Sequence, residues 1–346
     1  MMNKSLIEWT DFTWNPVTGC LHGCHYCYAA KQAQRFSGDI RLNKGSDQLR
    51  KDENGLYILD NPFRNQATGR VTPHPVGFEP VIHKYRLPMV AQKKKPAKIF
   101  VCSMADLFGA WVPDNWIEEV FKACDAAPWH TYMFLTKNPK RYWELHEKGI
   151  LPEGENHWFG ATLTNGADEN NIANNLPEYT GTPKPTHRNT FVSVEPLLDD
   201  IESTHPMGGF FTYYPKIVKW AILGAETGNH KNKIVPKREW IEKIVKACKM
   251  ANIPVFMKDS LQEIWGESLI QEWPEGMPMD KGNDVPRCKE CEHCTITQEG
   301  KRGNRHECEI GWQSEGYDDR GAKHIPGRYA RTSPPWCPKR EEEQHD

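Results

Sequence analysis

The chain has no long apolar run. No stretch of about 18 consecutive apolar residues occurs in its 346 residues, so nothing in it is expected to span a membrane. Met1 to Glu8 lacks the apolar core of a secretory signal. Charge of one sign is also missing. Forty-four Lys and Arg against 46 Asp and Glu give a formal net charge of −2, which excludes a global attraction to nucleic acid or an anionic membrane. Residues 1–287 carry 34 basic and 34 acidic residues, and residues 288–346 carry 10 and 12, so neither part is a basic arm. The cysteines number eleven, an odd count that argues against a disulfide framework in a chain without a secretory segment. A reducing cytoplasm is the expected location, where clustered cysteines hold metal more often than they pair.

Three of those cysteines stand together: Cys20, Cys24 and Cys27, spaced C-x3-C-x2-C, with Tyr26 just before the last. Three thiolates on one short loop hold three irons of a 4Fe-4S cube and leave the fourth iron without a protein ligand. An open iron can bind a small molecule and pass it an electron. Zinc is the main rival. Structural zinc takes four ligands, usually as C-x2-C pairs from two segments; no partner pair follows nearby, but His22 or His25 could complete a Cys3His set.

Apolar content of 38% with 26% charged residues fits a soluble globular chain long enough for one large domain and an appendage. The thirteen tryptophans are expected mostly in the core. Strand-like runs recur at Ile7–Trp14, Ile99–Ser103, Tyr132–Thr136, Trp158–Thr164, Phe191–Val194, Trp220–Gly224 and Pro254–Met257. Most are short and continuously apolar, as parallel strands buried on both faces are. Helical spacing lies between several of them, in Asp114–Ala127 and Lys237–Ala251 and after the Asn138-Pro139 start signal, with Gly149 closing that last helix. Two helices resemble each other: Trp116 to Cys124 and Trp240 to Cys248 match at six of nine positions. Alternating strands and helices predict an α/β fold, a partial or complete TIM-like (β/α) barrel of six to seven βα units over residues 1–265. Chemistry in such barrels sits at the C-terminal strand ends, which is where the cysteine loop falls.

An insertion at about 37–98 breaks this rhythm and is too long for an ordinary connection. Asn54-Gly55 and Thr68-Gly69 signal turns, and a small hairpin is expected in its first half. Its second half, Lys84 to Lys98, holds six basic residues and no acid. A solvated face is the plain reading; a phosphate-contacting patch is the sharper one.

Polar residues close the proposed strands: Ser103 to Asp106, Thr136-Lys137, Thr162 to Thr164, Ser193 to Glu195, Gly224 to Glu226 and Lys258-Asp259. So many charged and hydroxyl residues at strand ends point to one shared cavity.

Together, the cluster loop and the βα order resemble the radical S-adenosylmethionine (SAM) superfamily. More narrowly, Thr13 to Cys20, Ser103 to Phe108, Ser193 to Leu197 and Gly224 to Gly228 resemble an uncharacterised, often phage-encoded radical-SAM-like family. The resemblance covers roughly residues 5–262. It implies that a reduced cluster cleaves SAM to methionine and a 5′-deoxyadenosyl radical, which takes a hydrogen from the substrate. It also implies an electron donor of flavodoxin or ferredoxin type. Where many radical SAM enzymes carry a Gly-Gly-Glu-like stretch, this chain has Ser103-Met104-Ala105-Asp106. Asp106 or a backbone carbonyl there would take the amino group of SAM. Thr136 or Lys137 would face its carboxylate, Glu195 its ribose, and Gly224 to Glu226 its adenine.

Residues 266–346 read as a Cys-rich metal module. Cys288, Cys291, Cys294, Cys308 and Cys337 lie in a polar segment with few aliphatics, which needs a metal as a staple. Cys291, Cys294, Cys308 and Cys337 are the expected ligands. Zinc is preferred to a second iron–sulfur cluster, because no ferredoxin-type fourth cysteine follows closely. Cys102, Cys124 and Cys248 are expected to be packing residues.

The expected function is a radical SAM enzyme. Its substrate is a nucleobase, a nucleotide-like metabolite or a peptide, with Lys84 to Lys98 and the resemblance favouring nucleic-acid or nucleotide modification. The competing functions are a zinc-binding interaction protein without activity and an iron–sulfur redox protein that never uses SAM.

Overall fold

The apolar runs become strands because their side chains are buried on both faces. The computed structural model describes residues 2–176, 189–228 and 232–277, and the backbone of three short strands further on. The chain opens with β1 (Met2–Lys4), β2 (Phe12–Trp14) and β3 (Val17–Thr18), followed by helices α1 (Tyr28–Arg35) and α2 (Ile40–Lys44). The insertion then supplies β4 (Arg50–Lys51), β5 (Tyr57–Leu59), β6 (Val81–His83) and α3 (Met89–Gln92). Next come β7 (Lys98–Val101), α4 (Asp114–Asp125), β8 (Thr131–Thr136), α5 (Lys140–Glu147), β9 (His157–Thr162) and α6 (Glu169–Asn175). The last part holds β10 (Asn189–Val194), α7 (Phe210–Tyr213), β11 (Ala221–Leu223), α8 (Arg238–Met250) and β12 (Val255–Met257).

Eight strands form one sheet in the order β1-β2-β7-β8-β9-β10-β11-β12. β2 and β7 to β12 are all parallel, and β1 is antiparallel at one edge. The fold is therefore α/β with a large, mostly parallel sheet. Among the described residues no ladder joins β12 to β1, so the ring of a complete barrel is not closed by hydrogen bonds. Side chains from one face of the sheet nonetheless gather around Trp9. Its ring centroid lies 4.9 Å from Phe100, 5.8 Å from Phe191 and 6.4 Å from Trp220. Met133, Trp158, Ile222 and Phe256 complete this aromatic core. The opposite face packs against the helices. That shared packing explains the likeness of α4 and α8. Ile117, Val120, Phe121 and Cys124 are buried on one, and Ile241, Ile244, Val245 and Cys248 on the other.

Some boundaries differ from expectation. The first strand is only Phe12–Trp14, because Ile7 to Thr10 turns, with the Thr10 N–H donating to the Ile7 carbonyl at 3.1 Å. Asn138 does not cap α5; its side chain donates to the Phe108 carbonyl at 2.9 Å. The sheet unit runs to Pro278 rather than ending at 265, since Met257 and Val255 bond Ile270 and Glu272 and since Trp273 and Met277 cover the aromatic core. No helix among the described residues is long and apolar enough to cross a membrane.

The insertion is a small sheet, β3-β6-β5-β4, with the expected hairpin between β4 and β5. Most cations of its basic run have partners within the fold. Lys84 pairs with Glu119, Lys93 sits 4.2 Å from the Phe12 ring centroid, Lys94 lies 5.5 Å from that of Trp129, and Lys98 is buried beside Asp11 at 3.5 Å. Arg86 is buried and donates to the Asn15 carbonyl at 2.9 Å. Packing and ion pairs thus engage five of the six cations of this run, while Lys94 and Lys95 remain exposed.

Burial in the insertion also sets a pH dependence. Desolvation pushes the His74 imidazole down to about 4, with Arg86 adding to the shift, and holds His83 well below its usual range. Both rings are kept neutral in the folded state, so the unfolded chain binds protons first. Their stabilising contribution is full above about pH 6.5 and is lost as pH falls toward 4. For His74 the loss is about 3 kcal/mol. Urea melts at pH 7 and pH 4.5 are expected to show this loss, and His74→Phe to flatten it.

A second unit spans Met279–Asp346. Within it β13 (Cys294–Gln298), β14 (Arg305–Cys308) and β15 (Lys323–Ile325) form an antiparallel sheet in which Cys294 and Cys308 are opposed register partners. Cys288, Cys291 and Cys337 lie outside the described residues.

Candidate active site

The cysteine loop is placed by contacts on both sides. β3 pairs with β6, and the Pro16 carbonyl accepts from the His83 N–H at 2.7 Å. The Gly19 N–H donates to the Met104 carbonyl at 2.9 Å and the Cys20 N–H to the Phe78 carbonyl at 3.0 Å. The Asn15 side chain accepts from the Met104 N–H at 2.9 Å and from the Ser103 hydroxyl at 3.2 Å. Gly19 has φ +92°, and a Cβ there would lie 2.1 Å from the Glu79 carbonyl oxygen. Only glycine fits this close approach in the left-handed region. Cys27 then caps α1, its sulfur accepting from the Ala30 N–H at 3.4 Å.

Cys20, Cys24 and Cys27 are free and half-buried. They line a cavity of about 280 Å³ together with Asp106, Thr136, Lys137, Thr162, Ser193, Glu195, Glu226 and Lys258. The C-terminal ends of β7 to β12 therefore open onto the same space as the three thiols. Its floor is apolar: Ile7, Trp9, Phe100 and Leu135. Five of the six expected SAM residues line it; Gly224 does not, and stands behind Glu195. Burial pushes the Cys20 thiol up to about 11, and Asp106, Cys24 and Cys27 add to the shift. A cation that replaces the proton reverses that preference.

Asp106, 5% exposed, ties the site together. Its carboxylate lies 2.7 Å from His22 Nε2 on the cysteine loop. It accepts from the Thr136 hydroxyl at 2.8 Å, the Lys137 N–H at 3.0 Å and the Phe108 N–H at 3.0 Å. A carboxylate offers about four acceptor positions, and these donors fill them. Asp106 is thus a clamp between three segments rather than an open acceptor, and Thr136 gives its hydroxyl proton to that clamp. Asp106→Asn turns half of the group into a donor facing other donors. It is expected to cost the cluster-free protein about 3 kcal/mol in a urea melt.

Lys137 instead reaches the cavity, donating to the Tyr26 hydroxyl at 2.8 Å. Burial raises the Tyr26 phenol well above its ordinary range, and the neighbouring Cys24 adds to this, so the phenol stays protonated. Glu226, 2% exposed, accepts from the Ile234 N–H at 2.9 Å, and its other oxygen is 4.0 Å from His25 Nε2. Glu195 is held by Lys258, which also lies 3.7 Å from Glu8. Burial works to lower the Lys258 ammonium, but the two carboxylates outweigh it and hold it above its usual value. Cys102, expected as packing, is buried but takes φ +61° just after β7.

The histidines of a Cys3His zinc set are drawn to carboxylates, His22 to Asp106 and His25 to Glu226. Among the described residues no three His, Cys, Asp or Glu side chains are grouped to hold a single metal ion. A cube takes each thiolate at a different iron, so its ligands need not converge on one point. Three soft sulfur donors on one wall, with a polar cavity before them, suit that group. Sequence reading missed His22 as a clamp partner, Tyr26 as the support of Lys137, and Asn15; only the closeness of Asn15 to Pro16 and Gly19 signalled a shaped loop.

A family model, described as a protein of unknown function (DUF5131), matches residues 4–309. The chain belongs to that family. No curated protein matches. Among solved structures, the chain is similar to chains of spore photoproduct lyase. One with bound AdoMet and dinucleoside spore photoproduct is 8% identical, with a TM-score of 0.42, covering 74% of this chain and 78% of that one. Another, complexed with dinucleoside spore photoproduct, is 10% identical, with a TM-score of 0.38, covering 77% of each chain. The functional reading therefore rests on the DUF5131 chain's own cavity.

Proposed function

We propose that this protein is a radical SAM enzyme acting on a nucleobase or nucleotide. The observation that carries the reading is the cavity in which three clustered thiols face polar residues from six strand ends. Cys20, Cys24 and Cys27 would hold a 4Fe-4S cluster. When bound, it supplies the electron that splits SAM into methionine and a 5′-deoxyadenosyl radical, which takes a hydrogen atom from the substrate. Asp106 fixes the cysteine loop against β7 and β8. Lys137, steadied by the Tyr26 hydroxyl, offers its ammonium to the carboxylate of SAM. Glu226 and the backbone near Gly224 meet the adenine. Glu195, assigned to the ribose from sequence, joins the far wall instead, because Lys258 draws its carboxylate there. Trp9 and Phe100 close the floor and exclude water from a radical intermediate.

The curved sheet around Trp9 fits a partial (β/α) barrel. A flavodoxin- or ferredoxin-like protein would deliver the electron. In the second unit, the opposed Cys294 and Cys308 fit half of a four-cysteine site for zinc or an auxiliary cluster, with Cys291 and Cys337 as the other half.

Anaerobic reconstitution followed by reduction with and without SAM tests the reading. The electron paramagnetic resonance signal of the reduced cluster is expected to change on adding SAM, and Lys137→Met to weaken that response by about tenfold in SAM concentration, as loss of a charged hydrogen bond does. A signal indifferent to SAM would leave only an electron-transfer protein.

A further inference from the structure

The far wall of the cavity carries a hydrogen-bonding pattern that nothing within the described residues completes. β10 alternates sides. Phe191 belongs to the aromatic core around Trp9, while Val192 and Val194 pack on the helical side. Ser193 faces the same side as Phe191, one layer higher, and lines the cavity. It is 1% exposed, and its hydroxyl has no hydrogen-bond partner among the described residues. A buried hydroxyl is stable only with a partner, and a ligand in the cavity is placed to be that partner.

Two residues on, Glu195 lines the same wall and is paired through Oε1 with Lys258. Gly224, just past the intervening strand β11, leaves room for it: a Cβ there would meet Glu195 Cγ and Cδ at 3.0 Å. An ammonium has three protons. Glu195 and Glu8 face two of them, which leaves Lys258 one to give. Glu195 Oε2 makes no hydrogen bond within the described residues and can accept. The wall thus presents a donor at Lys258, an acceptor at Glu195 paired with it, and a donor at Ser193 two residues before Glu195, all lining the same cavity. The floor beside it is apolar and aromatic.

We propose that this wall binds the edge of a planar cyclic imide, C=O, N–H, C=O, as a uracil-type pyrimidine presents it. Lys258 and Ser193 donate to the two carbonyls, Glu195 accepts from the ring N–H, and the ring lies over Trp9 and Phe100. Phosphate is a poor fit, since Glu8, Glu195 and Glu226 outnumber Lys258 on this side. The assignment deepens the radical SAM reading and rests on it for the role of the cavity.

The test uses the full chain, free of cluster, with uridine, N3-methyluridine and cytidine as probes in ligand-observed NMR titrations. SAM binding is measured separately on reconstituted protein. Uridine is expected to bind saturably. N3-methyluridine, which lacks the N–H and puts a methyl against Glu195, and cytidine, whose ring N3 accepts, are each expected to bind at least about tenfold more weakly. Ser193→Ala is expected to weaken uridine about fivefold or more, with a larger effect on uridine than on SAM. Equal binding of uridine and N3-methyluridine overturns the proposal. So does loss of SAM affinity in Ser193→Ala with uridine unchanged, which would assign the hydroxyl to SAM. Absence of uridine binding both to cluster-free and to SAM-loaded protein overturns it too, while a SAM-dependent cluster signal in the same preparation leaves the radical SAM reading standing.

Discussion

Cys24→Ala is expected to abolish SAM cleavage while leaving the fold in place. The Cys24 thiol is half-buried, and in the cluster-free chain the loop's register is held by backbone bonds, including the Cys27 N–H to the Cys24 carbonyl at 3.1 Å. Alanine keeps those bonds. What it removes is one of the three proposed ligands to the cube. Two thiolates hold a cluster poorly, and the other cysteine lining the cavity among the described residues, Cys102, is 3% exposed just past β7. Reductive SAM cleavage is expected to fall at least about 1,000-fold, the order lost when the group carrying the chemistry is removed. The melting curve of the cluster-free protein should stay within about 0.5 kcal/mol of the parent, as for surface-type changes. Iron retention at the parent level, with cleavage intact, would show that Cys24 is not a ligand.

Gly19→Ala is expected to have a large effect for a single added methyl. The added carbon would lie 2.1 Å from the Glu79 carbonyl oxygen and 2.7 Å from Pro80 N, at a residue with φ +92°. Backbone, not a flexible side chain, blocks it. Either the Gly19–Met104 bond or the insertion contact at Phe78 and Glu79 must yield, and both position Cys20. A loss of about 3 kcal/mol or more is expected, from positive-φ strain and a clash with main chain together, with iron loading falling in parallel. Gly23→Ala is the control. Gly23 also has positive φ, +67°, but nothing lies within 4 Å of the would-be Cβ, so its cost is expected near 1 kcal/mol. Denaturant melts and iron counts on both variants separate the two cases. Equal effects would mean that the insertion does not shape the loop.

Much of the sheet was legible because burial on both faces leaves continuous apolar runs. Lys98–Val101, Thr131–Thr136 and Asn189–Val194 fall within a residue or two of the expected segments. The grouping of the three thiols on one cavity wall was legible because Cys20, Cys24 and Cys27 are close in sequence. The clamp on Asp106 was not. Its partners His22 and Thr136 lie 84 and 30 residues away, and no local pattern says that a carboxylate will be filled by neighbours rather than left open to a ligand. The burial of part of the basic run was hidden for a related reason. A cation in sequence looks solvated, yet Arg86 is buried by the small sheet of the insertion, and Lys98 by Trp273 and Asp11. Ser193 and Glu195 were placed on one face by their spacing of two, but only the folded packing leaves the Ser193 hydroxyl without a partner among the described residues. The contact of Lys258 with Glu8 joins residues from opposite ends of the sheet unit, which no periodicity reveals.

The most direct test of the central claim is the release of 5′-deoxyadenosine. Anaerobically reconstituted protein is reduced in the presence of SAM, and 5′-deoxyadenosine and methionine are measured over time beside Cys24→Ala. The account predicts that both products form in equal amounts with the parent protein and at background with the variant. An iron-loaded, reducible protein that leaves SAM intact would contradict it, as would a colourless protein that carries only zinc.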